Sequence, residues 1–355
     1  MQTFFVILIL AFGFLITFQI AKASEYVAVL RGEDKARKQT NRINAFLLLA
    51  FLIVGLIGVY YCNERLKGKI LGEAASVQGE KIDTMLYITL AITGIVFFVT
   101  QILLFWFAFK YQESDKRKAY YFPHNNKLEI IWTVIPAIAL TALVGFGIYY
   151  WFKITGDAPE DAMQVEVTGS QFKWEFRYPG RDGVFGKKYY KNINPEKGNP
   201  LGQLWEDPYN HDDIIASELH IVVNKPVKLI IGSKDVVHDV GLAQFRMKMD
   251  AVPGTPTTMW FTPKYTTRQM VEKSGDPDFV YELSCDQLCG KGHYAMRGVV
   301  IVETQEEFDR WVYSQKSQYA KVMEEKNPAP AKPQTDSTGK KATDTTKAVA
   351  ANMKK

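Results

Sequence analysis

Two thiols, an imidazole and a thioether fall within a single stretch of twelve residues, from Cys285 to Met296. Two glycines in the same stretch permit a tight loop, so that Cys285, Cys289, His293 and Met296 can converge. Thiolate and thioether sulfurs are soft ligands that suit copper, whereas imidazole suits copper or zinc. A structural zinc site usually needs a fourth Cys or His and has no use for methionine. The stretch therefore predicts a copper site of the electron-transfer kind.

The number of cysteines bears on the number of metal ions. A single copper of the blue type needs one cysteine, and the stretch supplies two, spaced so that both sulfurs can face inward. This arrangement suggests two metals that share two bridging thiolates, with one imidazole for each metal. Among the five histidines of the chain, His238 follows a predicted strand closely enough to reach the cysteine loop. His238 is therefore the preferred second imidazole, although any single histidine here would more often have a structural role.

The residues around this stretch alternate in hydrophobicity, which is the pattern of half-buried strands. Apolar side chains at 163, 165 and 167, and again at 172, 174, 176 and 178, alternate with polar neighbours. Shorter β-rich runs at 219–223 and 227–231 flank Asn224 and predict a hairpin, and similar runs occur at 257–262, 279–283 and 298–302. Many short strands separated by turn residues predict an antiparallel β-sandwich or barrel.

Two further segments lie outside this strand pattern. Residues 180–217 lack periodicity and are rich in glycine, asparagine, proline and aspartate, so we expect a long excursion from the sandwich. Thr304 and Glu307 form a capping-box pattern, and apolar residues from Phe308 to Tyr319 follow at helical spacing. This second segment predicts an amphipathic helix that closes the domain.

The 355-residue chain is 47% hydrophobic and 23% charged, with a mean hydropathy of −0.12. Its aromatic content of 13% excludes disorder for most of the length. Residues 327–355, composed mainly of Ala, Pro, Lys, Thr and Ser, instead predict a disordered tail. Three cysteines cannot form a disulfide framework. The near-zero mean hydropathy conceals two halves, because hydrophobicity is very high before residue 152 and ordinary after it.

Four charge-free apolar runs account for the first half, at residues 1–21, 43–61, 85–109 and 130–152. Each holds about 19–25 residues, enough to cross a hydrocarbon core of about 30 Å as a helix. Aromatic residues gather at the ends of the runs, as expected at a membrane interface. The runs therefore predict four transmembrane helices rather than buried helices of a soluble core.

The basic residues between the runs predict the orientation of the chain. Segments 22–42 and 110–128 hold six and five Lys or Arg residues, against four in segment 63–84. By the positive-inside rule the first two segments are cytoplasmic, which puts everything after residue 152 outside. No Lys or Arg precedes Lys22, and cleavage of the first run as a signal peptide would reverse the side of the C-terminal half. We therefore expect the first run to stay uncleaved.

Four motifs resemble those of subunit II of the haem-copper cytochrome c oxidases, over roughly residues 80–315. Residues 285–296 match Cys-x-x-x-Cys-x-x-x-His-x-x-Met, and residues 233–238 match Ser-x-Asp-Val-x-His. Residues 248–254 match Lys-x-Asp-Ala-x-Pro-Gly, and residues 124–136 match His-Asn-x-x-Leu-Glu-x-x-Trp-Thr-x-x-Pro. The last motif lies at the start of a membrane run, where a simple membrane tether has no need of a particular glutamate and proline.

The resemblance implies a cupredoxin-like domain that carries the dinuclear copper centre CuA. Its thiolates would come from Cys285 and Cys289, its imidazoles from His238 and His293, and its weak outer ligands from Met296 and the backbone carbonyl of Gln287. It also implies that electrons arrive from cytochrome c and pass to haem in subunit I, where oxygen is reduced to water and protons are pumped. No catalytic residue is expected in this subunit. The chain has no Cys-x-x-Cys-His motif for a haem of its own, so a separate protein must donate the electrons.

Three positions bear on how far the resemblance extends. Gln287 stands where the family often has a glutamate that helps to bind magnesium, which removes the usual carboxylate from that contact. Phe172 stands where the family often has the tryptophan that accepts the electron. Phe172 and Trp174 are therefore the predicted electron-uptake residues, and entry from a differently docked donor is the alternative. Glu129 matches the family's glutamate at the mouth of a proton path and is a candidate for proton uptake. A carboxylate at a helix start is, however, also favoured by the helix dipole.

The predicted organisation has four parts. An extra N-terminal membrane region with two helices (1–84) precedes a transmembrane hairpin (85–152), the cupredoxin-like CuA domain (160–326) and the tail (327–355). The resemblance implies a multi-pass protein of a bacterial plasma (inner) membrane, with the CuA domain on the outer, periplasmic face. The implied partners are subunit I, other oxidase subunits, cytochrome c and membrane lipid, without nucleic acid. Residues 153–326 carry 22 basic and 26 acidic residues, and this net charge of −4 suits a basic cytochrome c.

Three other protein classes share parts of this pattern. A quinol oxidase subunit II has the same fold and helices but lacks the copper ligands. A nitrous oxide reductase carries a similar copper motif on a large propeller domain, for which this chain has no room. A membrane-tethered copper-binding or assembly protein acts without haem-bearing partners, so co-purification of a haem protein distinguishes it from an oxidase subunit. Cys62 has no predicted role beyond a structural one.

Overall fold

The computed structural model describes residues 2–67 and 72–326, so the predicted tail lies outside the described residues. Its first part consists of four long helices, α1 (Gln2–Arg31), α2 (Glu33–Leu66), α3 (Val77–Lys110) and α4 (Asn126–Thr155). Each overlaps one of the predicted apolar runs, and all four are long and apolar enough to cross a membrane, the first over Ala11–Leu30. The prediction of four N-terminal helices is therefore confirmed.

The helices extend well beyond the apolar runs. Residues 22–42, predicted as a segment between two spans, are helical on both sides of Gly32. Gly32 has a φ of +84°, which glycine adopts without a steric penalty, and this explains why the break falls at that residue. Hydropathy marks the part of a helix that lies in hydrocarbon, whereas backbone hydrogen bonding continues into the charged flanks.

Helices α2 and α3 lie side by side. Phe46 contacts Phe109 with ring centroids 5.2 Å apart, and neighbouring rings from the same two helices meet at 5.8 Å. Arg37, near the start of α2, forms a 3.1 Å ion pair with Glu113, which follows the end of α3. The start of α2 and the segment after α3 therefore lie on the same side, as expected from their common cytoplasmic assignment.

The second part is a β-sandwich of two five-stranded sheets. Its strands are β1 (Met163–Ser170), β2 (Lys173–Tyr178), β3 (Ile214–Ala216), β4 (Leu219–Val222), β5 (Val227–Ser233), β6 (His238–Leu242), β7 (Met247–Ala251), β8 (Thr257–Phe261), β9 (Tyr281–Cys285) and β10 (Arg297–Glu303). The sheets have the orders β3-β2-β1-β5-β8 and β4-β10-β9-β6-β7. The remaining helices are α5 (Thr267–Ser274), α6 (Gln305–Ser314) and α7 (Gln318–Lys326). The predicted sandwich with a C-terminal helical end is confirmed. Its sheets are mixed rather than purely antiparallel as predicted, because β1 pairs with β5 and β10 pairs with β4 in parallel.

Apolar side chains from both sheets form the core of the sandwich. Val165 of β1, Phe176 of β2 and Leu229 of β5 are fully buried, at the period of two that the sequence predicts. Leu283 of β9 and Val300 of β10 are equally buried. Each such side chain stabilises the fold by about 1.5–3 kcal/mol when it leaves water. This packing fixes the strand ends from which the loops with the predicted copper ligands emerge.

The predicted hairpin around Asn224 is wrong. β4 pairs in parallel with β10, with Leu219 opposite Val300, whereas β5 pairs in parallel with β1, with Val227 opposite Met163. The turn at Asn224 therefore carries the chain from one sheet to the other. Turn residues between two apolar runs indicate that the chain reverses, but they do not determine whether the two runs pair with each other.

Strand β2 differs from the predicted half-buried pattern because it is buried on both faces. Glu175 and Arg177, which alternate with the apolar residues, are buried together with Trp174 and Phe176. The guanidinium of Arg177 lies 2.8 Å from the carboxylate of Glu166 on β1 and has no exposed surface. A buried charge needs such a partner, and the ion pair explains how charged residues occupy this face.

The C-terminal helical end is divided into two helices. Helix α6 begins with the predicted capping box, in which Glu307 N donates to Thr304 Oγ1 at 3.3 Å and Thr304 N donates to the Glu307 carboxylate at 3.0 Å. The helix ends at Ser314, so Tyr319 lies in the separate α7. The predicted helix is therefore shorter than expected, and the prediction that it continues to Tyr319 is wrong. Apolar residues at helical spacing fit one long helix or two short helices equally well.

The chain divides into two compact units. One contains the four long helices and most of the sandwich, up to Tyr178 and again over Ile215–Gln315. The other contains residues 179–214 and α7. Within this second unit the predicted excursion consists of hydrogen-bonded turns, in which the Asn210 amide donates to two backbone carbonyls at 2.9 and 2.8 Å. The ring of His211 stacks on Tyr319 of α7 at 4.0 Å.

Polar contacts fix the start of α3 to the sandwich. The Ser76 hydroxyl, at the N-cap of α3, donates to the carbonyl of Phe245 at 2.6 Å. Arg246 forms a bidentate pair with Asp83 of α3, with nitrogen–oxygen distances of 2.9 and 3.1 Å. Bidentate pairs of this kind define orientation as well as distance. The membrane hairpin and the sandwich are therefore joined at α3, in addition to the covalent link from α4 to β1.

Candidate metal centre

The ends of three neighbouring strands bring the predicted ligands together at one end of the second sheet. His238 is the first residue of β6, Cys285 is the last residue of β9, and Met296 immediately precedes β10. β6 and β9 are hydrogen-bonded neighbours, with Val240 opposite Cys285. Cys289 and His293 lie in the loop between β9 and β10. The sheet register therefore places residues that are far apart in sequence at the same site.

The side chains of these residues converge on the two cysteine sulfurs. Cys285 Sγ and Cys289 Sγ are 3.7 Å apart. Cys285 Sγ lies 3.8 Å from His238 Nδ1, and Cys289 Sγ lies 3.6 Å from His293 Nδ1. Each sulfur thus has its own imidazole nitrogen. One ligand atom each from His238, Cys285 and Cys289 lies within 4.8 Å of the others, and all three residues are buried.

Two further donors lie next to the sulfur pair. Met296 Sδ is 3.9 Å from Cys289 Sγ, and the backbone carbonyl oxygen of Gln287 is 3.2 Å from Cys285 Sγ. Met296 is buried, whereas the side chain of Gln287 is exposed and only its carbonyl faces the site. The structure therefore brings together all six of the predicted donor groups.

The electrostatics of the sulfur pair fit a bound cation. Burial raises the pKa of the Cys289 thiol, and the hydrogen bond from Cys285 acts in the same direction, so that the pKa reaches about 11. Two thiolates side by side in this environment would repel each other without a compensating positive charge. Soft, borderline metal ions such as copper bind thiolate, thioether and imidazole together. The donor set and its burial therefore fit copper.

A carboxylate behind the site fixes His238. Asp235 Oδ1 accepts a hydrogen bond from His238 Nε2 at 2.8 Å, which leaves Nδ1 with its lone pair directed to the sulfurs. Burial alone would raise the pKa of Asp235, but the hydrogen bonds from Gln171 N, His238 and Val236 N hold it below its usual value. The role of Asp235 was not predicted, although its position three residues before His238 is a sequence signal for such a contact.

The loop between β1 and β2 covers residues 286–296, which join β9 to β10 and are called the metal-binding loop after the predicted ligands that they contain. The side-chain amide of Gln171 donates to the carbonyl of Cys289 at 2.6 Å. The ring of Phe172 lies over Gly290 and Gly292, and a Cβ at Gly292 would lie only 2.6 Å from that ring. The glycines are therefore required by the close approach of an aromatic ring as well as by the turn.

The two predicted electron-uptake residues occupy different positions. Phe172 is 39% exposed, at the surface above the metal-binding loop. Trp174 is 4% exposed, and its ring centroid lies 5.9 Å from that of His238 in an edge-to-face contact. Phe172 can therefore touch a partner protein directly, whereas Trp174 contacts a predicted ligand from within the domain.

The other residues singled out in the sequence lie away from this site. His220 is buried, with Nδ1 2.9 Å from Glu303 Oε1 and its ring stacked on Trp311 at 3.9 Å, which is a structural role. Glu129 lies in the first turn of α4, and its carboxylate accepts a hydrogen bond from Asn125 N at 3.4 Å. About 26 residues of helix separate Glu129 from the sandwich, a span of about 40 Å. Glu129 is therefore at the opposite end of α4.

Two family models match the chain. The model described as cytochrome c oxidase subunit II, transmembrane domain, matches residues 65–148. The model described as cytochrome c oxidase subunit II, periplasmic domain, matches residues 163–304. The two matches cover the helical hairpin α3–α4 and nearly all of the sandwich, including every predicted copper ligand.

Two curated relatives agree with this match. The alternative cytochrome c oxidase subunit 2 of Bradyrhizobium diazoefficiens is 36% identical over 238 residues, covering 66% of this chain and 80% of the relative. The cytochrome c oxidase subunit 2 of Cereibacter sphaeroides is 30% identical over 236 residues, covering 64% of this chain and 73% of the relative. A solved structure, the periplasmic domain of subunit II of cytochrome oxidase (CoxB) of Bradyrhizobium japonicum, is 25% identical with a TM-score of 0.32, covering 46% of this chain and 99% of that chain. The chain belongs to the cytochrome c oxidase subunit II family and is thus part of the oxidase enzyme, a membrane protein with a periplasmic domain.

Proposed function

We propose that this subunit accepts electrons from cytochrome c at a dinuclear copper centre and passes them to haem in subunit I. There oxygen is reduced to water, and protons are pumped. The observation that carries this proposal is the pair of buried cysteine sulfurs 3.7 Å apart, each with its own imidazole nitrogen within 3.8 Å. A mononuclear copper site needs only one of these sulfurs, whereas two metals can share both.

The proposed ligands are the six donors at the sulfur pair. Cys285 and Cys289 would bridge the two coppers, His238 and His293 would each bind one, and Met296 and the carbonyl of Gln287 would be the weak outer ligands. When bound, such a pair of coppers supplies a one-electron carrier whose ligand geometry changes little between redox states. An amide is a poorer magnesium ligand than a carboxylate, so we propose no magnesium contact through the side chain of Gln287.

The chain's own residues hold this donor set rigid. Asp235 fixes the ring of His238, and the Gln171 amide fixes the carbonyl of Cys289. The rings of Phe172 and Trp174 cover the loop and the ligand histidine on the side of the β1–β2 turn. Ligands that are already positioned need little rearrangement when charge changes, which favours fast electron transfer.

The surface around the loop suits a docking partner. Leu288 and Tyr294 are 78% and 83% exposed in the metal-binding loop, and the ring of Phe172 lies over Gly290 and Gly292 of the same loop. Apolar side chains grouped at a surface commonly mark a contact with another protein. We propose that cytochrome c docks on this surface and that the electron enters through Phe172 and Trp174.

The test of the proposed function is rapid mixing of the oxidised oxidase complex with reduced cytochrome c. We expect the absorbance of the copper centre to change before that of haem in subunit I. Reduction of haem without an earlier change at copper would contradict the proposal. Purification of the chain without any haem-bearing partner would instead favour a copper-binding or assembly protein.

Replacement of Trp174 by alanine should slow the reduction of the copper centre several-fold, because it removes the ring that contacts His238. The same rapid-mixing experiment measures this rate. The variant Trp174→Phe retains an aromatic ring in the same buried position and should recover most of the rate. An unchanged copper spectrum in Trp174→Ala would show that the copper site is intact. An unchanged rate of copper reduction in this variant would contradict the proposal that the electron passes through Trp174.

We propose that Glu129 takes part in proton uptake on the cytoplasmic side. The variant Glu129→Gln keeps an oxygen that can accept the hydrogen bond of Asn125 N, so the start of α4 should remain intact. We expect lower oxidase turnover and weaker proton uptake in reconstituted vesicles. Glu33→Gln, at the start of α2, is the matched control and should leave both unchanged. Normal proton uptake in Glu129→Gln would contradict the proposed role of Glu129 in proton uptake and would leave it only a structural role at the start of α4.

The proposed location is a bacterial inner membrane, with the copper domain on the periplasmic face. We propose that the chain is divided into four parts, residues 1–84, 85–152, 160–326 and 327–355, and that its first helix is not cleaved.

The extra helices α1 and α2 are proposed to contact other oxidase subunits, since most of their apolar side chains with a described position are exposed in the single chain. N-terminal sequencing that begins near Lys22 would contradict the uncleaved first helix.

A further inference from the structure

A cavity of about 500 Å³ lies where the α3–α4 hairpin meets the sandwich. On the helix side it is lined by Met85 of α3 and by Gly147, Tyr150 and Trp151 of α4. On the other side it is lined by residues of β5, β7 and β8. Both sides belong to the same compact unit. Met85 and Gly147 lie within the apolar runs, so the cavity begins at the edge of the hydrocarbon and ends against the periplasmic strands.

The two ends of the cavity differ in chemistry. The helix end is apolar and aromatic, and Tyr150 and Trp151 are of the type that anchors at a membrane interface. The sandwich end carries the lysines Lys228 of β5 and Lys248 of β7. An occupant that satisfies both ends must therefore be amphipathic, with its polar part against the sandwich.

The charges at the sandwich end favour an anion. Arg246 also lines the cavity, but its guanidinium is neutralised by the bidentate pair with Asp83. Lys248 is 58% exposed, and its only ion pair among the described residues is a long one, 3.9 Å to Asp239. Lys228 forms no ion pair within the part of the chain that the structure describes. The two positive charges of Lys228 and Lys248 therefore outnumber the one negative charge of Asp157, the single carboxylate that lines the cavity.

We propose that this cavity binds a phospholipid of the outer leaflet, with its phosphate between Lys228 and Lys248 and its acyl chains along α3 and α4. Burial of the chains against the apolar wall and attraction of the phosphate to the lysines act in the same direction. A non-helical segment of another protein is less suitable, because its backbone polar groups would lack partners at the depth of Gly147. The lipid site does not depend on the copper assignment.

The position of the cavity gives the lipid a structural role. Beside it, Trp260 Nε1 donates to the carbonyl of Gly156 at 2.8 Å, where α4 ends. Trp260 and Gly156 both line the cavity. A lipid held here would fill the space between the hairpin and the sandwich and keep water from the contacts that join them.

The test uses a photoreactive amino acid, p-benzoylphenylalanine, at position 147 of the purified oxidase complex. Nothing lies within 4 Å of a Cβ added at Gly147, so the site tolerates a larger side chain. After delipidation in detergent, the complex is incubated with phosphatidylglycerol vesicles or with inorganic phosphate alone, washed, irradiated and analysed by mass spectrometry. We expect a phospholipid adduct that survives washing. The adduct should form after incubation with the vesicles and should be absent after incubation with inorganic phosphate.

Charge variants separate this site from bulk lipid. Lys228→Glu should lower the adduct yield about tenfold or more, because it replaces attraction to the phosphate with repulsion. Lys228→Arg should retain the yield, and Lys225→Glu, a neighbouring lysine that does not line the cavity, should also retain it. An adduct with a peptide of another subunit would overturn the proposal. A lipid yield that is equal in Lys228→Glu and Lys225→Glu would also overturn it.

Discussion

Replacement of Cys285 by serine should abolish the proposed dinuclear copper centre and, with it, oxidation of cytochrome c by the complex. The variant removes one of two sulfurs that lie 3.7 Å apart, and a hydroxyl is a far weaker ligand for copper than a thiolate. Loss of a partner that only orients a ligand lowers metal affinity by about 10–100-fold, so loss of a ligand itself should lower it by more. Copper content per complex and turnover with reduced cytochrome c measure the effect.

Cys62 provides the matched control for this variant. It is an exposed cysteine at the end of α2, outside the sandwich. Cys62→Ser should retain full copper content and normal turnover. Normal turnover in Cys285→Ser, with two coppers still bound, would contradict the assignment of Cys285 as a bridging ligand.

Replacement of Asp235 by alanine should lower copper affinity by about 10–100-fold while leaving the fold intact. The carboxylate holds His238 Nε2 at 2.8 Å and also accepts from Gln171 N at 2.7 Å, so its loss frees both the ligand ring and the covering loop. Titration of the chain with a competing chelator measures the affinity. The shape of the copper spectrum should also change, since the orientation of one imidazole is no longer fixed.

Asp286 is the control for a charge effect. It follows Cys285 and is exposed, and its carboxylate accepts from Ser284 Oγ at 2.7 Å, so its position does not depend on any ligand side chain. Asp286→Asn removes the same charge and should change copper affinity much less than Asp235→Ala. Equal losses in the two variants would show that the net negative charge of the loop matters, and that the hydrogen bond to His238 does not.

The membrane helices and the strands could be predicted from the sequence because both have a local signal. An apolar run of about 20 residues predicts a span by its length, and the alternation at Val165 and Val167 predicts a strand by its period. The convergence of Cys285, Cys289, His293 and Met296 was also local, since these residues lie within one loop.

Strand pairing could not be predicted, because it depends on partners far away in the sequence. The turn at Asn224 has the composition of a hairpin, yet β4 and β5 belong to different sheets. Burial of Arg177 depends on Glu166 of the adjacent strand, and no pattern within β2 reveals that partner. Helix ends were missed for a related reason, since the charged flanks of α1 and α2 remain helical outside the hydrocarbon.

The supports of the metal site were missed for the same reason. Asp235 is near His238 in sequence, but Gln171 reaches Cys289 only because β1 and β2 end beside the metal-binding loop. The sequence predicts only that glycines permit a tight loop here, but at Gly292 the ring of Phe172 also occupies the space that a side chain would fill. Sequence spacing therefore predicts ligands that share a loop better than the residues that hold them in place.

The most direct test of the central claim is electron paramagnetic resonance of the copper centre in the purified, oxidised complex. Two coppers bridged by Cys285 and Cys289 should share one unpaired electron, so the hyperfine splitting should arise from two equivalent copper nuclei. The copper content at this site should be two ions per chain. Splitting from a single copper nucleus, with one ion per chain, would contradict the dinuclear centre and with it the proposed function.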